Sequence, residues 1–455
     1  MITFGKDTIM KSDANQKLLK NTPLFVNATP LSPKQSKLLS ILCYTVIAIT
    51  ALSMLGIILY YIYAFAAQSL GSNRFDWLLG IFSDFVEIMN ASLKKSPYLT
   101  NGTSYPPLAV IVLYPFAWIC GGVFSTYSDV TLTLDELTAR VIQHPEFWVS
   151  IVAFFLLSIG AIWLIITKKY QLEPIASLKA GALLVLSAPC VYAIMRGNTI
   201  YFALIFSLLF LLLYEHPKAY LREIGCLCLV LAGCIKIYPL FLGVFLLKQK
   251  RFFAAARVAV YFFVIFFLSF RLFHSGVEGV NPFFNNLTEF MFDEERLLSL
   301  RNLSLSSLIY KALYLIAPSL TTTALFSTLS FWVLFSTVLV AAITASITSS
   351  DFSRSVIASG VIILIPTVSY FYVLVFSFLP LMEFIKHAEH FSKQKRTTYT
   401  VLFLLLYSCI FLLTQCFVPH AILVIAMLMI EECSIIHKDL LPRFKNKNKD
   451  LINSL

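Results

Sequence analysis

This sequence is short of charge. Only 13% of its 455 residues are Asp, Glu, Lys or Arg, while 58% are hydrophobic; soluble domains hold about a quarter and about a half. With a mean hydropathy of +0.81, a water-soluble globule is excluded. The nine cysteines, Cys43, Cys120, Cys190, Cys226, Cys228, Cys234, Cys409, Cys416 and Cys433, are scattered, nearly all within apolar runs. None pairs at metal-ligand spacing, and Cys226-Leu-Cys228 is one residue too tight for CxxC, so they read as small hydrophobes and no metal is expected. Nucleotide and hydrolase signatures are missing too: there is no GxGxxG followed by a ribose-binding acid, no Walker A, no HExxH and no GxSxG. No cleavable signal peptide is expected, because the first apolar run, from about Leu39, follows a polar tail and is too long for a signal core.

What is present is apolar sequence in lengths of roughly 20 residues, enough to cross a bilayer as helix. The expected fold class is all-α, a polytopic transmembrane protein. Residues 1–37 read as a polar cytoplasmic tail, 38–437 as the membrane domain and 438–455 as a basic cytoplasmic tail. Spans are expected over 39–66, 106–124, 147–167, 177–194, 199–214, 225–247, 253–273, 322–346, 397–416 and 419–437. Segment 303–317 is short and contains Lys311, which suits a peripheral or re-entrant helix. Segment 355–385 is about 31 residues, roughly 46 Å as one helix, and contains Pro366 and Pro380; it is expected to split near Thr367–Tyr370. The total is about twelve spans. Two long polar loops, 68–104 and 274–302, fall on one face, taken as outer. In the first, Phe75, Trp77, Leu78, Ile81, Phe82, Phe85, Ile88 and Met89 recur at helical spacing, as in a helix lying at the interface.

The net charge of +11 marks membrane orientation rather than nucleic-acid binding, because the basic residues cluster in loops and tails beside apolar runs. The scheme puts Lys248-Gln-Lys-Arg251, Lys386–Arg396 and both tails inside. Lys168 and Lys169 fall on the outer side, against the positive-inside rule. No repeat period and no soluble domain appear.

Ionisable groups within or beside spans are costly unless paired or hydrated, and four groups qualify. Asp84 and Glu87, with Asp76 behind them, share one side of the first-loop helix. Such carboxylates can act as general bases, although the same spacing suits a solvated face. Pro97-Tyr98 and Tyr105-Pro106-Pro107 follow on the same loop; prolines at helix starts and tyrosines at interfaces are ordinary features. Arg196-Gly197-Asn198 can bind an anion or simply end a helix, and Lys236, in Lys236-Ile-Tyr-Pro239, must snorkel, pair or face a cavity. In the second loop, Arg296 and Arg301, next to Asn302, can meet a phosphate or pair with Asp293, Glu294 and Glu295. The Asn-x-Ser/Thr tripeptides at Asn90, Asn101, Asn286 and Asn302 arise readily by chance.

Taken in order, these pieces resemble a known family. SDFVEIMNASLKKSPYLTNGTSYPPLAVIVLYPF is similar to the acidic first outer loop and Pro-Tyr…Tyr-Pro-Pro-Leu signature of glycosyltransferase family 87, of the GT-C superfamily. RGNTIYFALIFSLLFLLL followed by AGCIKIYPLFLGVFLLKQKRFFAA resembles that family's central block, and RNLSLSSLI its Asn-x-Ser-Leu element. The RGN and KIYP pieces also resemble the catalytic subunit of GPI mannosyltransferase I. The resemblance covers residues 76–305.

It implies a GT-C-like membrane enzyme that moves a hexose, mannose-like, or a pentose from a polyprenyl-phosphate donor to a glycan or glycolipid acceptor, with inversion. Asp84, or Glu87 one turn on, is then the base. Arg196, Asn198, Lys236 and Arg301 are donor or phosphate ligands, and Tyr98, Tyr105 and Asn302 belong to the substrate loops. One base suffices, and a lipid phosphate leaves readily beside Arg or Lys, so no cofactor or metal is required. Membrane lipid is a further partner. The expected site is the outer face of a bacterial inner membrane, with an endoplasmic-reticulum lumen as the alternative. A transporter or flippase, and an O-antigen-type polymerase or ligase, are the alternative classes.

Overall fold

Lipid offers no hydrogen bonds, so a spanning backbone must satisfy its own N–H and C=O groups. The computed structural model answers this with helices. It describes residues 30–66, 81–99, 102–127, 132–321, 324–407 and 416–437, and among them every extended regular element is helical. Asp76, the start of the first-loop amphipathic pattern, most of the N-terminal tail and the tail 438–455 lie outside the described residues. Among the described residues, five helices are long and apolar enough to cross a bilayer, or six if one bent pair counts as a span. Several of the other expected spans are folded into shorter or broken pieces, and their directions can be followed from their contacts.

Helix α1 (Pro33–Ala66) starts at what we call the basal end, where Gln35 donates to the Lys386 carbonyl at 2.6 Å. The first loop, at the apical end, contributes α2 (Ser83–Leu93). The run expected to cross at 106–124 instead makes three six-residue helices, α3 (Pro107–Val112), α4 (Tyr114–Ile119) and α5 (Gly121–Thr126). Each is about 9 Å long. They stay apical, since Ser150 donates to Phe116 O at 2.9 Å and Tyr127 meets His144 at 3.1 Å, both early in the next long helix or just before it. After α6 (Leu134–Val141), closed by a Thr133–Glu136 capping box, α7 (Pro145–Tyr170) descends.

That descent corrects the expected position of Lys168 and Lys169. Lys169 donates to Leu211 O at 2.9 Å, and it shares a cavity of about 290 Å³ with Gln35 and Lys386. Both lysines therefore lie at the basal end with the other basic segments. The positive-inside exception came from counting 106–124 as a crossing.

Helix α8 (Pro174–Leu186) rises parallel to α1: Lys179 donates to Ser40 Oγ and Thr50 to Leu186 O, each at 2.8 Å. It bends by 57° into α9 (Ala188–Arg196), which delivers Arg196 to the apical end. Helix α10 (Ile200–Leu213) returns, and Arg251 holds Tyr214 O at the base at 2.6 Å.

The expected span 225–247 is a hairpin. Helix α11 (Ala219–Ile235) rises and ends at Lys236, whose backbone is extended; a 3-10 turn (Tyr238–Gly243) and α12 (Val244–Lys248) lead back to the base. There Lys248 donates to Thr348 O at 2.7 Å. Pro239 in the first turn of the returning limb has no N–H to continue the rising helix. Helix α13 (Phe252–Phe270) then crosses to the apical end, where His274 N donates to Lys95 O at 2.9 Å.

The second loop holds α14 (Val280–Phe292) and α15 (Glu294–Leu298). Helix α16 (Leu305–Ile316), about 18 Å long, lies beside α17 (Ala324–Ile347) through Ser306–Ser330 and Tyr310–Phe326, in keeping with a peripheral helix. The segment 355–385 splits where expected. Helix α18 (Asp351–Leu364) rises, and a 3-10 stretch (Phe371–Ser377) and α19 (Phe378–Lys386) descend as a second hairpin. Helices α20 (Lys393–Tyr407) and α21 (Val418–Ile435) close the bundle. At their base, buried Glu431 accepts from Tyr399 and Ser353 at 2.6 Å and pairs with Lys395 at 2.7 Å.

Candidate active site

The tips of both hairpins, the end of α9 and the start of α2 meet at the apical end. The approach of α2 depends on two backbone positions. Phe82 takes φ 62° and donates its N–H to Met195 O at 2.6 Å, which anchors α2 to the end of α9. Gly197 takes φ 64°, and a Cβ there would lie 2.5 Å from Phe85 Cβ. Only glycine combines that conformation with that proximity.

The contact places Asp84, 4% exposed, against the Arg196-Gly-Asn198 turn. Arg196 Nη2 donates to Asp84 Oδ1, and Asn198 Nδ2 donates to Oδ2 at 2.6 Å. The carboxylate is thus gripped on both oxygens by charge-assisted and amide donors, with lone pairs left over, since a carboxylate has about four acceptor sites. Asn198 is itself fixed, fully buried, with Oδ1 accepting from Ile200 N at 2.9 Å.

Glu87 stands one turn further along α2. Its Oε1 is within 3.5 Å of Thr103 Oγ1, which accepts from Tyr105 N at 3.2 Å. Burial, and then the charge of Asp84, raise the Glu87 carboxyl to about 7; Arg196, Arg296 and Lys236 act in the opposite direction. Three cations therefore surround the carboxylate pair. Lys236, at the first hairpin tip, lies 4.5 Å from the Tyr105 ring centre and 5.9 Å from that of Tyr372 at the second tip. Arg296 stacks over Phe290 at 4.1 Å and reaches Asp293 at 3.4 Å.

The remaining expected residues divide. Tyr105 faces Lys236. Tyr98 is a packing residue, surrounded by Phe270, Phe273 and Phe283, and its hydroxyl donates to Tyr105 O at 3.3 Å. Arg301 is exposed, its backbone N–H meeting Ser299 Oγ. Asn302 is fully buried: Nδ2 donates to Arg296 O and Thr367 O at 3.2 Å, and Oδ1 accepts from Ser304 N and Ser369 N at 3.0 Å. Its amide ties the second loop to the second hairpin tip.

Three tyrosines were missed. Tyr192 lies one helical turn before Arg196, the spacing that puts two side chains on one face. Tyr370 and Tyr372 follow directly on the break near Thr367. Their rings cluster, with centroids 6.4 Å apart for Tyr192–Tyr372 and 6.0 Å for Tyr370–Tyr372. The resulting site has buried carboxylates, a ring of cations and a tyrosine wall. Such a set can take a proton from a hydroxyl, hold an anion and pack against a polar ring.

Comparison with curated proteins finds no match to the chain. A family model described as glycosyltransferase family 87 matches residues 103–377. That stretch is more than half of the sequence. It takes in Arg196, Asn198, Lys236, Arg296 and Tyr372, and it begins shortly after the carboxylate helix. With the membrane-length helices and the apical site already described, the match is decisive: the chain belongs to glycosyltransferase family 87 and is a membrane glycosyltransferase.

Proposed function

We propose that the enzyme transfers a hexose or pentose from a polyprenyl-phosphate donor to a hydroxyl of a glycan or glycolipid, with inversion at the anomeric carbon. Asp84 is the base. The observation that carries this is its double anchorage by Arg196 and Asn198, which aims the carboxylate while leaving lone pairs for a hydroxyl proton. The acceptor oxygen loses its proton to Asp84 and bonds to the anomeric carbon as the carbon–oxygen bond to phosphate breaks. The lipid phosphate departs as an anion beside Lys236 and Arg296, so no general acid is needed. Glu87 and the tyrosines orient hydroxyls of the sugars.

The basic basal end supports a cytoplasmic base and an active site on the opposite side. In a bacterium that is the outward face of the inner membrane. Counting the limbs of both hairpins, α10 and α20 as crossings brings the total towards the twelve spans that hydropathy suggests.

The test uses purified enzyme and a polyprenyl-phosphate-linked sugar. Loss of a general base lowers turnover about 10²–10⁴-fold, and Asp84→Asn should fall in that range while still eluting as a folded protein. Full activity in both Asp84→Asn and Glu87→Gln would overturn the assignment. Turnover only with a diphosphate-linked donor would favour the polymerase or ligase class instead.

A further inference from the structure

One cavity at the apical end is lined by none of the carboxylates. It measures about 780 Å³ and is bounded by the C-terminal end of α2, by α3 and α4, and by the end of α13. Its floor is apolar, including Val110, Ile111 and Phe273, and it opens beside Tyr114 and Leu272, which are 51% and 71% exposed. Exposed large apolar side chains at the end of a membrane-length helix mark the bilayer interface. The rim carries Lys94, Lys95 and His274, and no acidic residue lines the cavity among the described residues. The Lys95 carbonyl accepts from His274 N, which pins the two sides of the rim together.

Lysine pairs are disfavoured in short loops on the side opposite the cytoplasm, so this pair beside an apolar groove calls for an anionic partner. We propose that the cleft binds an acidic glycerophospholipid of the apical leaflet, its phosphate on Lys94 and Lys95 and its acyl chains along the α3, α4 and α13 wall. The donor does not fit here. Its phosphate is bonded directly to the reacting carbon, whereas Lys94 is ten residues beyond Asp84, about 15 Å along the helix direction. The cleft is therefore a lipid site distinct from the transfer centre.

The experiment is native mass spectrometry of the full-length enzyme released from vesicles of phosphatidylcholine with a tenth part of phosphatidylglycerol. Wild type should retain phosphatidylglycerol selectively. Each lysine near a headgroup is worth about fivefold, so Lys94→Gln/Lys95→Gln should weaken retention about 30-fold. Leu272→Asp, which leaves the cations in place, should weaken it as well. Inorganic phosphate at 50 mM should not compete, because it lacks the chains. Equal retention by the double variant, equal retention of phosphatidylcholine by wild type, or displacement by polyprenyl phosphate would each overturn the proposal. None of these readouts depends on sugar transfer, so they stand or fall separately from the proposed function.

Discussion

Replacing Glu87 with Gln should stabilise the enzyme above neutral pH and leave it nearly unchanged in acid. The Glu87 carboxyl is raised from 4.5 to about 7, first by burial and then by Asp84. Between those values the folded protein holds a proton that the unfolded chain has released. Stability therefore falls as pH rises through this window and reaches its floor above 7. Each pH unit across the gap is about 1.4 kcal/mol, so the full loss is about 3 kcal/mol, most of it between pH 5 and pH 8. Gln cannot ionise and escapes the loss, while its carbonyl can still accept from Thr103. With an unfolding entropy near 2.1 cal/mol/K per residue, a chain of 455 residues converts this to about 3 °C. The assay is a thermal melt of wild type and variant in one detergent at pH 5 and pH 8. The variant should match wild type within about 1 °C at pH 5 and melt about 3 °C higher at pH 8. A gap that does not change with pH, or a less stable variant at pH 8, would refute a buried Glu87 charged against its environment.

Gly197→Ala should cost about 2–5 kcal/mol, from the left-handed backbone and the Phe85 contact together. Turnover should fall with it as α2 withdraws from Asn198; a melt and an activity assay on the same sample check both. Arg296→Ala should raise the donor KM about 10–100-fold, the range of one charge-assisted hydrogen bond. Arg301→Ala, on the exposed rim, should change it by less than about twofold, and steady-state kinetics with varied donor would separate the two.

The chemistry of the site was more legible in the sequence than its topology. Asp84, the RGN turn and Lys236 stood out because an ionisable group in apolar sequence has few places to go, and the structure brings all three together. Hydropathy reports how long an apolar run is, not which way it travels. The run around Lys236 has the length of a span and folds as a hairpin. The run at 106–124 looks like a span and stays at one end. The signal that could have corrected the count was already there in Lys168 and Lys169, which violate the charge rule only if 106–124 crosses. Asn302 drew notice as part of the Asn-x-Ser-Leu element, but all four of its side-chain hydrogen bonds go to backbone, either 65 and 67 residues away or close by. Tyr192, Tyr370 and Tyr372 looked like any membrane tyrosines, and only the meeting of two hairpin tips groups them.

The pairing of Asp84 with Arg196 also bears on how the protein is made. Arg196 follows its carboxylate by 112 residues. At about 5–20 residues per second of synthesis, Asp84 waits on the order of ten seconds for that partner, and longer for Lys236. An acid on a membrane-crossing helix would have to enter lipid alone during the delay, at several kcal/mol. Carried on α2, a loop helix already delivered to the aqueous side, it can remain hydrated until α9 arrives. The carboxylate helix is thus suited to biogenesis as well as to the proposed reaction: its charge is buried only once the cation that makes burial tolerable is in the membrane.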